Sequence, residues 1–331
     1  MEKILSVTIP CYNVSEYLNE TLGSLIRCRT IGFLDIIIVD DGSKDDTLKI
    51  ADSYVKQYPD SIRVIAKENG GHGSTINAGL KIAVGKYFAV IDGDDWVDSG
   101  VMDELVDYLA EVDADVVITG HHKNFVIIDK EETLGYLENR DIEYNIAYII
   151  ERNFRFPMTD ICYRTKILQD MKLTIQEHTF YVDEEFCTLP FMLVNRIRFF
   201  GKGYYHYRIG SPNQSISLAN TIKRINHRIR VFKRIYELTD FQDMALANST
   251  YINNKLVGLA KAILVIYYVK FENRQEGYKQ GELFYAELMK NYPKISLPCK
   301  RMIGILRFFN KFRIPASVFD YFFNIKKTLK K

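Results

Sequence analysis

Three carboxylates crowd into four positions at Asp92-Gly93-Asp94-Asp95, directly after the apolar pair Val90-Ile91. Carboxylates this close repel one another unless a cation sits among them. Oxygen-only ligands favour a hard divalent ion, Mn²⁺ or Mg²⁺, which commonly also holds phosphate oxygens. An acidic surface turn is the plain alternative, but the strand-like run before the cluster and the glycine within it favour a site. A second group, Asn69-Gly70-Gly71-His72-Gly73-Ser74-Thr75, opens a helical pattern that carries Asn77. Glycines ahead of a helix N-terminus leave backbone N–H groups free to face an anion, here a nucleotide or its diphosphate. The stretch fits neither GxGxxG nor GxxxxGK[ST], so dehydrogenase and P-loop kinase chemistry lose support. His72 reads equally as a site residue or as a solvent-facing loop histidine. Asp40-Asp41 ends another apolar run. There a carboxylate suits the N3–H of a uracil or the hydroxyls of a ribose, with helix capping as the competing use. In Tyr181-Val182-Asp183-Glu184-Glu185-Phe186, Asp183 is either a general base or a partner of a helix dipole. Glu184 and Glu185 are expected on the outer, solvated face of that helix.

The elements that must position these groups follow from hydrophobic periodicity. Leu5–Ile9, Asp35–Val39, Ile62–Ala66, Lys86–Ile91 and Asp115–Thr119 read as buried strands. Between them, helices are expected after Ser15, from a Ser43/Asp46 capping box, over Thr75–Val84 and over Gly100–Glu111. Near-continuous apolar strands alternating with helices predict an α/β fold with a parallel sheet covered on both faces. In such a sheet ligands bind beyond the carboxyl ends of the strands, and Tyr12-Asn13, Asp40-Asp41, Asn69–Ser74 and Asp92–Asp95 all fall there. Farther on, Tyr181–Leu193 looks helical and Ile197–Ile209 strand-like, and long helical segments follow. A boundary near 216 then divides a first domain, 1–216, from a helical C-terminal region, 217–331.

Composition sets outer limits. With 331 residues, 47% of them apolar and 26% charged, the chain suits one or two globular domains. The net charge of +2 hides an asymmetry. Residues 1–120 hold 10 Lys+Arg against 21 Asp+Glu, whereas residues 298–331 hold 9 against Asp320 alone. The acidic front argues against nucleic acid as a partner, and the basic, aromatic tail suits an anionic partner, a membrane surface or a subunit contact. Five scattered cysteines without a CxxC suggest a reduced, cytoplasmic chain with no disulfide framework or zinc site. No signal peptide is expected. The longest apolar run, Ala262–Val269, is shorter than the roughly 18 residues of a membrane span.

Taken together, the motifs resemble the inverting family 2 glycosyltransferases, whose nucleotide-sugar-binding fold is called GT-A. The matching pieces are Ile9-Pro10-Cys11-Tyr12-Asn13, Ile37–Asp45, Asn69-Gly70-Gly71 with Asn77-Ala78-Gly79-Leu80, Gly85-Lys86-Tyr87 and Asp92–Trp96, in the family's order. Looser matches are Glu177–Phe186 and Tyr205-His206-Tyr207-Arg208 with Ser215-Ile216-Ser217. The resemblance implies a UDP-sugar donor and a glycan acceptor, lipid-linked, capsular or protein-linked. It implies that Pro10, Tyr12 and Asp41 contact the uracil with Asp40 and Asn13 nearby. Gly70, Gly71, His72, Asn77 and Gly93 then line the donor. Asp92-Gly93-Asp94 becomes a DXD motif, with Asp92 towards the ribose, Asp94 on the metal and Asp95 beside it. Asp183 becomes the catalytic base. Two positions depart from the family pattern, Ile76 in place of an arginine and Val182 in place of an acid.

Two rival readings remain at this stage. A nucleotidyltransferase would need a Gly-rich, basic loop after the first strand, where this chain has Pro10-Cys11-Tyr12-Asn13. A decayed nucleotide- or glycan-binding module would not need Asp92, Asp94 and Asp183. The tail segments Arg307–Arg313 and Phe319–Phe323 put aromatics beside cations. Packing within the protein, or in a homo-oligomer through the C-terminal helices, is the preferred use. Peripheral attachment at the inner face of the cell membrane is the other.

Overall fold

The computed structural model describes residues 2–125, 128–210, 218–239 and 241–321. Ser215-Ile216-Ser217, the boundary expected near 216 and the pair Phe322-Phe323 lie outside the described residues. The chain forms two compact units, Met1–Gln214 with Met244–Asn248, and Ser215–Asp243 with Ser249–Lys331.

The first unit is built on one sheet. Its strands are β1 (Leu5–Cys11), β2 (Leu34–Asp40), β3 (Ile62–Ala66), β4 (Tyr87–Val90), β5 (Trp96–Val97), β6 (Val116–Phe125), β7 (Lys130–Leu134), β8 (Ile161–Arg164) and β9 (Ile197–Ile209). Their order is β3-β2-β1-β4-β8-β6-β9-β5, with β7 beside β6. The strands β3, β2, β1 and β4 run parallel. β8 then enters antiparallel to both β4 and β6, so the sheet is mixed rather than wholly parallel. β1 and β2 are buried at every position, as apolar strands covered on both faces must be. The helices are α1 (Leu18–Ile26), α2 (Thr47–Gln57), α3 (His72–Ile82), α4 (Ser99–Glu111), α5 (Ile146–Glu151), α6 (Thr165–Asp170) and α7 (Asp183–Phe186).

Local chemistry explains where these elements begin and end. Asp98 caps α4 by accepting from Val101 N at 2.9 Å. No Ser43/Asp46 capping box forms. Ser43 Oγ instead accepts from Asn13 N at 3.0 Å, and Asp45 Oδ1 takes Thr47 N at 3.1 Å. The helix expected over Tyr181–Leu193 breaks into α7 and a 3₁₀ turn at Leu189–Met192, because Pro190 cannot donate to a continuing helix. Inside the sheet, the buried Asp35 carboxylate accepts from Ser6 Oγ at 2.6 Å and from Arg63 Nη2 at 2.6 Å. That pairing lets a charge occupy an otherwise apolar strand.

The second unit is helical. It holds α8 (Leu218–Lys223), α9 (Ile225–Leu238), α10 (Leu246–Val265, from Ser249 on), α11 (Arg274–Asn291) and α12 (Pro293–Lys311). α10 runs on into a π-turn, Ile266–Lys270. The whole helix, Leu246–Lys270, is long and apolar enough to cross a membrane, which corrects the expectation drawn from continuous apolar runs. Most of that apolar stretch is buried within the protein, as in a core helix. A π-turn leaves carbonyls without helical partners. Arg274 Nη1 and Asn310 Nδ2 donate to Tyr268 O at 3.0 and 2.9 Å, which pins α12 to this turn.

The tightest helix–sheet approach is at Gly79, where α3 crosses β1. A Cβ there would lie 2.0 Å from Thr8 Oγ1 and 2.6 Å from Thr8 Cγ2. Gly79→Ala is therefore expected to overpack the sheet and lower stability by about 1–3 kcal/mol. Denaturant unfolding checks this through a lower midpoint at unchanged m-value.

Candidate functional site

Strand register assembles the site. Cys11 pairs with Asp40, Asp40 with Ala66, and Thr8 with Val90, so the ends of β1, β2, β3 and β4 form one rim. The residues just beyond those ends are Tyr12-Asn13, Asp41, the loop 67–71 and Ile91–Asp95. Hydrogen bonds from Ile91 N to Thr8 O (3.0 Å) and from Gly93 N to Pro10 O (3.2 Å) hold the acidic turn against β1. Gly93 is required there, since a Cβ would stand 2.9 Å from Pro10 O and 3.0 Å from Cys11 Sγ. Thr21 Oγ1 of α1 supports the same turn from behind, donating to Asp95 O at 2.6 Å.

The three carboxylates of the turn have separate fates. Asp92 and Asp94 are half-buried at the rim, whereas Asp95 is 1% exposed. Asp95 spends both oxygens inside the protein, on Tyr205 Oη (2.5 Å) and Arg208 N (2.7 Å). It was expected among the metal ligands; its oxygens are instead committed to tying the turn to β9. Burial, together with the charges of Asp92 and Asp94, pushes its pKa up to about 8. Burial and the charge of Asp92 push Asp94 up to about 6. Two half-buried carboxylates side by side at the rim make a donor set that fits a hard divalent cation.

The glycine loop is organised by Asp41. Its carboxylate accepts from Lys67 Nζ (2.7 Å), Gly70 N (2.9 Å), Gly71 N (2.7 Å) and Ser74 Oγ (3.3 Å). Asp41 was expected to contact a base; four donors already occupy it, so it shapes the loop. Asp40 differs. Its Oδ2 accepts from Ser43 N, but its Oδ1 is buried without a hydrogen-bond partner. An orphaned carboxylate oxygen at a strand end is suited to an N–H or O–H of a ligand. Tyr12 is 51% exposed beside it. Asn13, in the left-handed region at φ +53°, turns its carboxamide oxygen to Lys44 N at 2.8 Å and so latches the two loops together.

α3 carries the remaining groups. His72 Nε2 lies 3.0 Å from Asp92 Oδ1. Burial lowers the imidazole's pKa, but the bond to Asp92 and the charges of Asp92, Asp183 and Asp94 outweigh it and raise the value above the usual range. Burial followed by the charges of Asp95, Asp92, Asp94 and Asp183 likewise raises Tyr207. Asp183 therefore bears on the same space as the acidic turn, although it is remote in sequence. Asn77 was expected to line the donor. Its amide is instead engaged with Ile175, Nδ2 to O at 2.9 Å and Oδ1 from N at 2.7 Å, and this docks the segment leading to Asp183. Gly73 allows the docking, since a Cβ would stand 2.1 Å from Gln176 O.

Around Asp183 one expectation is overturned. Asp183 is exposed at the start of α7, but Glu185 is wholly buried, accepting from Gln176 N at 3.0 Å. Ile76 and Val182, the two departures from the family pattern, are both core residues. Lys67 was not singled out in the sequence, and Tyr205 and Arg208 appeared there only within the looser match Tyr205-His206-Tyr207-Arg208, with no role attached. Arg208 donates from Nε to Asp94 O at 3.0 Å and packs over the Trp96 ring at 4.7 Å. It lies 114 residues from Asp94, so spacing gave no signal for it, whereas a lysine opening the glycine loop was a visible cue for Lys67. All five cysteines are free and buried.

One further group among the described residues has metal-ligand composition, His122, Glu131 and His206. The two imidazoles are stacked, with ring planes 12° apart and centroids at 4.5 Å. Near-parallel rings have no common point in both planes, so they do not aim two lone pairs at one ion. Thr133 Oγ1 and Asn124 Nδ2 lie 3.0 and 3.2 Å from their Nδ1 atoms, which makes this a packed hydrogen-bond cluster.

Comparison with known proteins bears on the family and the fold. The profile of "Glycosyl transferase family 2" matches residues 6–173. The uncharacterized glycosyltransferase EpsJ of Bacillus subtilis is 30% identical over 219 residues, covering 64% of this chain and 63% of EpsJ. The minor teichoic acid biosynthesis protein GgaB of the same organism is 30% identical over 245 residues, covering 69% of this chain and 26% of GgaB. The chain thus spans less than two thirds of the length of either relative. Among solved structures, S. aureus TarS 1–349 in complex with UDP-GlcNAc superposes with a TM-score of 0.59 at 19% identity, covering 90% of this chain and 92% of that one. The mannosyltransferase PcManGT of Pyrobaculum calidifontis, in complex with GDP-Man and Mn²⁺, gives 0.57 at 14% identity, covering 96% and 87%. At such identities the likeness establishes the fold, a GT-A sheet flanked by helices.

The loop latch yields a pH-dependent expectation. Burial raises the Asp45 pKa, but hydrogen bonds from Thr47 and Ser15 outweigh this and hold it at about 2. Its folded value lies below its unfolded one, so its stabilising effect is complete above about pH 4 and fades as pH falls towards 2. The stability difference between the wild type and Asp45→Asn, measured by urea unfolding, is expected to shrink steadily over that window.

Proposed function

Since the chain belongs to glycosyl transferase family 2, we propose that it moves a hexose or N-acetylhexosamine from a UDP-sugar to a hydroxyl of a glycan acceptor, with inversion. The observation that carries this reading is the acidic turn set against the N-terminus of α3, with Asp92 3.0 Å from His72 and the charges of Asp94 and Asp183 also acting on that imidazole. A reaction between a diphosphate donor and a hydroxyl acceptor needs those parts: a cation site, an anion-facing helix end and a base.

The roles follow from the geometry. The orphaned Asp40 Oδ1 accepts from the base of the nucleotide, and the exposed Tyr12 ring offers it a stacking face. Asp92 and Asp94 would hold Mn²⁺ or Mg²⁺, which when bound offsets charge on the diphosphate. Asp41, by binding Gly70 N and Gly71 N, fixes the loop from which α3 starts, and the positive end of that helix would face the same phosphates. Asp183, exposed at the start of α7, removes the proton of the acceptor hydroxyl. The oxygen then bonds to the anomeric carbon from the face opposite UDP, and UDP leaves with the bonding pair. A UDP-bound neighbour of similar fold supports uridine as the base. Titration calorimetry with UDP and GDP checks that choice.

Two substitutions separate the roles. Asp94→Ala is expected to abolish transfer while leaving the melting temperature unchanged or higher, because it relieves a buried like-charge pair. Near-normal turnover in that variant sinks the cation site. Asp183→Asn is expected to lower kcat about 10²–10⁴-fold with UDP affinity little changed. Collapse of UDP binding instead would remove Asp183 as the base.

A further inference from the structure

α12 has two apolar faces. One is the core face, where Ile295, Cys299, Ile303, Leu306 and Phe309 are buried. The other is a stripe formed by Leu297, Arg301, Ile305, Phe308, Lys311 and Phe312, which recur at three- and four-residue spacing and are all exposed. Its four apolar members are 72, 41, 52 and 59% exposed, and the Phe308 and Phe312 rings lie 4.6 Å apart. The core does not use this face.

Charge decides what it suits. From Pro293 to Tyr321 the chain holds six cations (Lys294, Lys300, Arg301, Arg307, Lys311 and Arg313) and one acid, Asp320. Arg307 is paired with Glu282 at 2.7 Å through both nitrogens; the other five have no ion pair among the described residues. A cavity of about 470 Å³ opens beside the stripe, with Tyr278, Arg307, Phe308 and Lys311 among its lining residues. Exposed phenylalanines next to unpaired cations have the composition of a helix that lies in a bilayer interface. Laying the same stripe of two copies together would instead bring Arg301 and Lys311 against their own kind.

We propose that this stripe of α12 docks on an anionic phospholipid surface. Leu297, Ile305, Phe308 and Phe312 enter below the headgroups, Arg301 and Lys311 reach lipid phosphates, and the cavity admits a headgroup between Tyr278 and Arg307. The docking is independent of the glycosyl-transfer reading, since none of these residues belongs to the rim of the sheet.

Vesicle flotation of the full chain tests it, with phosphatidylcholine alone and with phosphatidylcholine mixed with phosphatidylglycerol. Binding is expected only to the anionic vesicles and is expected to weaken with added salt. Arg301→Gln with Lys311→Gln should lower partitioning about 25-fold, at about fivefold per charge. Phe308→Ser with Phe312→Ser should lower it at least about tenfold, with the thermal unfolding of both variants unchanged. Equal partitioning of variants and wild type overturns the proposal, as does absence of binding to anionic vesicles. Analytical ultracentrifugation showing a dimer that Phe308→Ser with Phe312→Ser dissociates would also overturn it, by assigning the stripe to a second copy.

Discussion

Like-charge repulsion at the end of β4 is the constraint on which the rest of the site depends. Three carboxylates in four residues cannot all stay ionised in a half-buried turn without compensation. The fold separates them. Asp95 is drawn inward and held by Tyr205 and the backbone of Arg208, whereas Asp94 stays at the rim and Asp92 meets His72 there. Because β9 supplies both partners of Asp95, the last strand of the sheet fixes a turn formed more than a hundred residues earlier. The glycine between the rim carboxylates lets the turn lie directly on the backbone of β1.

A second buried charge works in the opposite way. Asp41 is satisfied by one cation, two backbone amides and a hydroxyl, so its buried carboxyl group leaves no hydrogen bond unmade. Its effect is mechanical. It pulls the glycine loop into the shape that starts α3 beside Asp92, and Asn77 of that helix then docks the strand-free segment that leads to Asp183. The acidic turn and the segment leading to Asp183 are thus joined through α3 rather than directly.

Much of this was legible in the chain. The strand ends carrying Asp40-Asp41 and Asp92–Asp95, the glycine loop and Asp183 were all found where the structure brings them together, because apolar runs broken by polar clusters mark strand termini. The structure gives several of the rim residues a further use. Asp41, Asn13, Asn77 and Asp95 were read as ligand-side residues, and each also hydrogen-bonds groups elsewhere in the fold. A polar residue at a rim looks alike in sequence whether it faces a ligand or holds a loop. Glu185 was misjudged for the related reason that a four-residue helix has too short a period to reveal its buried face. The span-length helix Leu246–Lys270 escaped notice because Asn253, Asn254, Lys255 and Lys261 interrupt its apolar run without ending the helix.

The sequence by itself determined the class of fold, the order of its elements and the residue types able to do chemistry, since these rest on local periodicity and on motifs a few residues long. Only the tertiary structure decided which carboxylates remain available. It satisfied Asp41 and Asp95 internally, left Asp40 Oδ1 unpartnered, and set Arg208 against Asp94 from 114 residues away. It also decided that α12 keeps a second apolar face beyond the core. Availability depends on which donors arrive from distant segments, and hydrogen bonds between remote residues leave no periodicity along the chain.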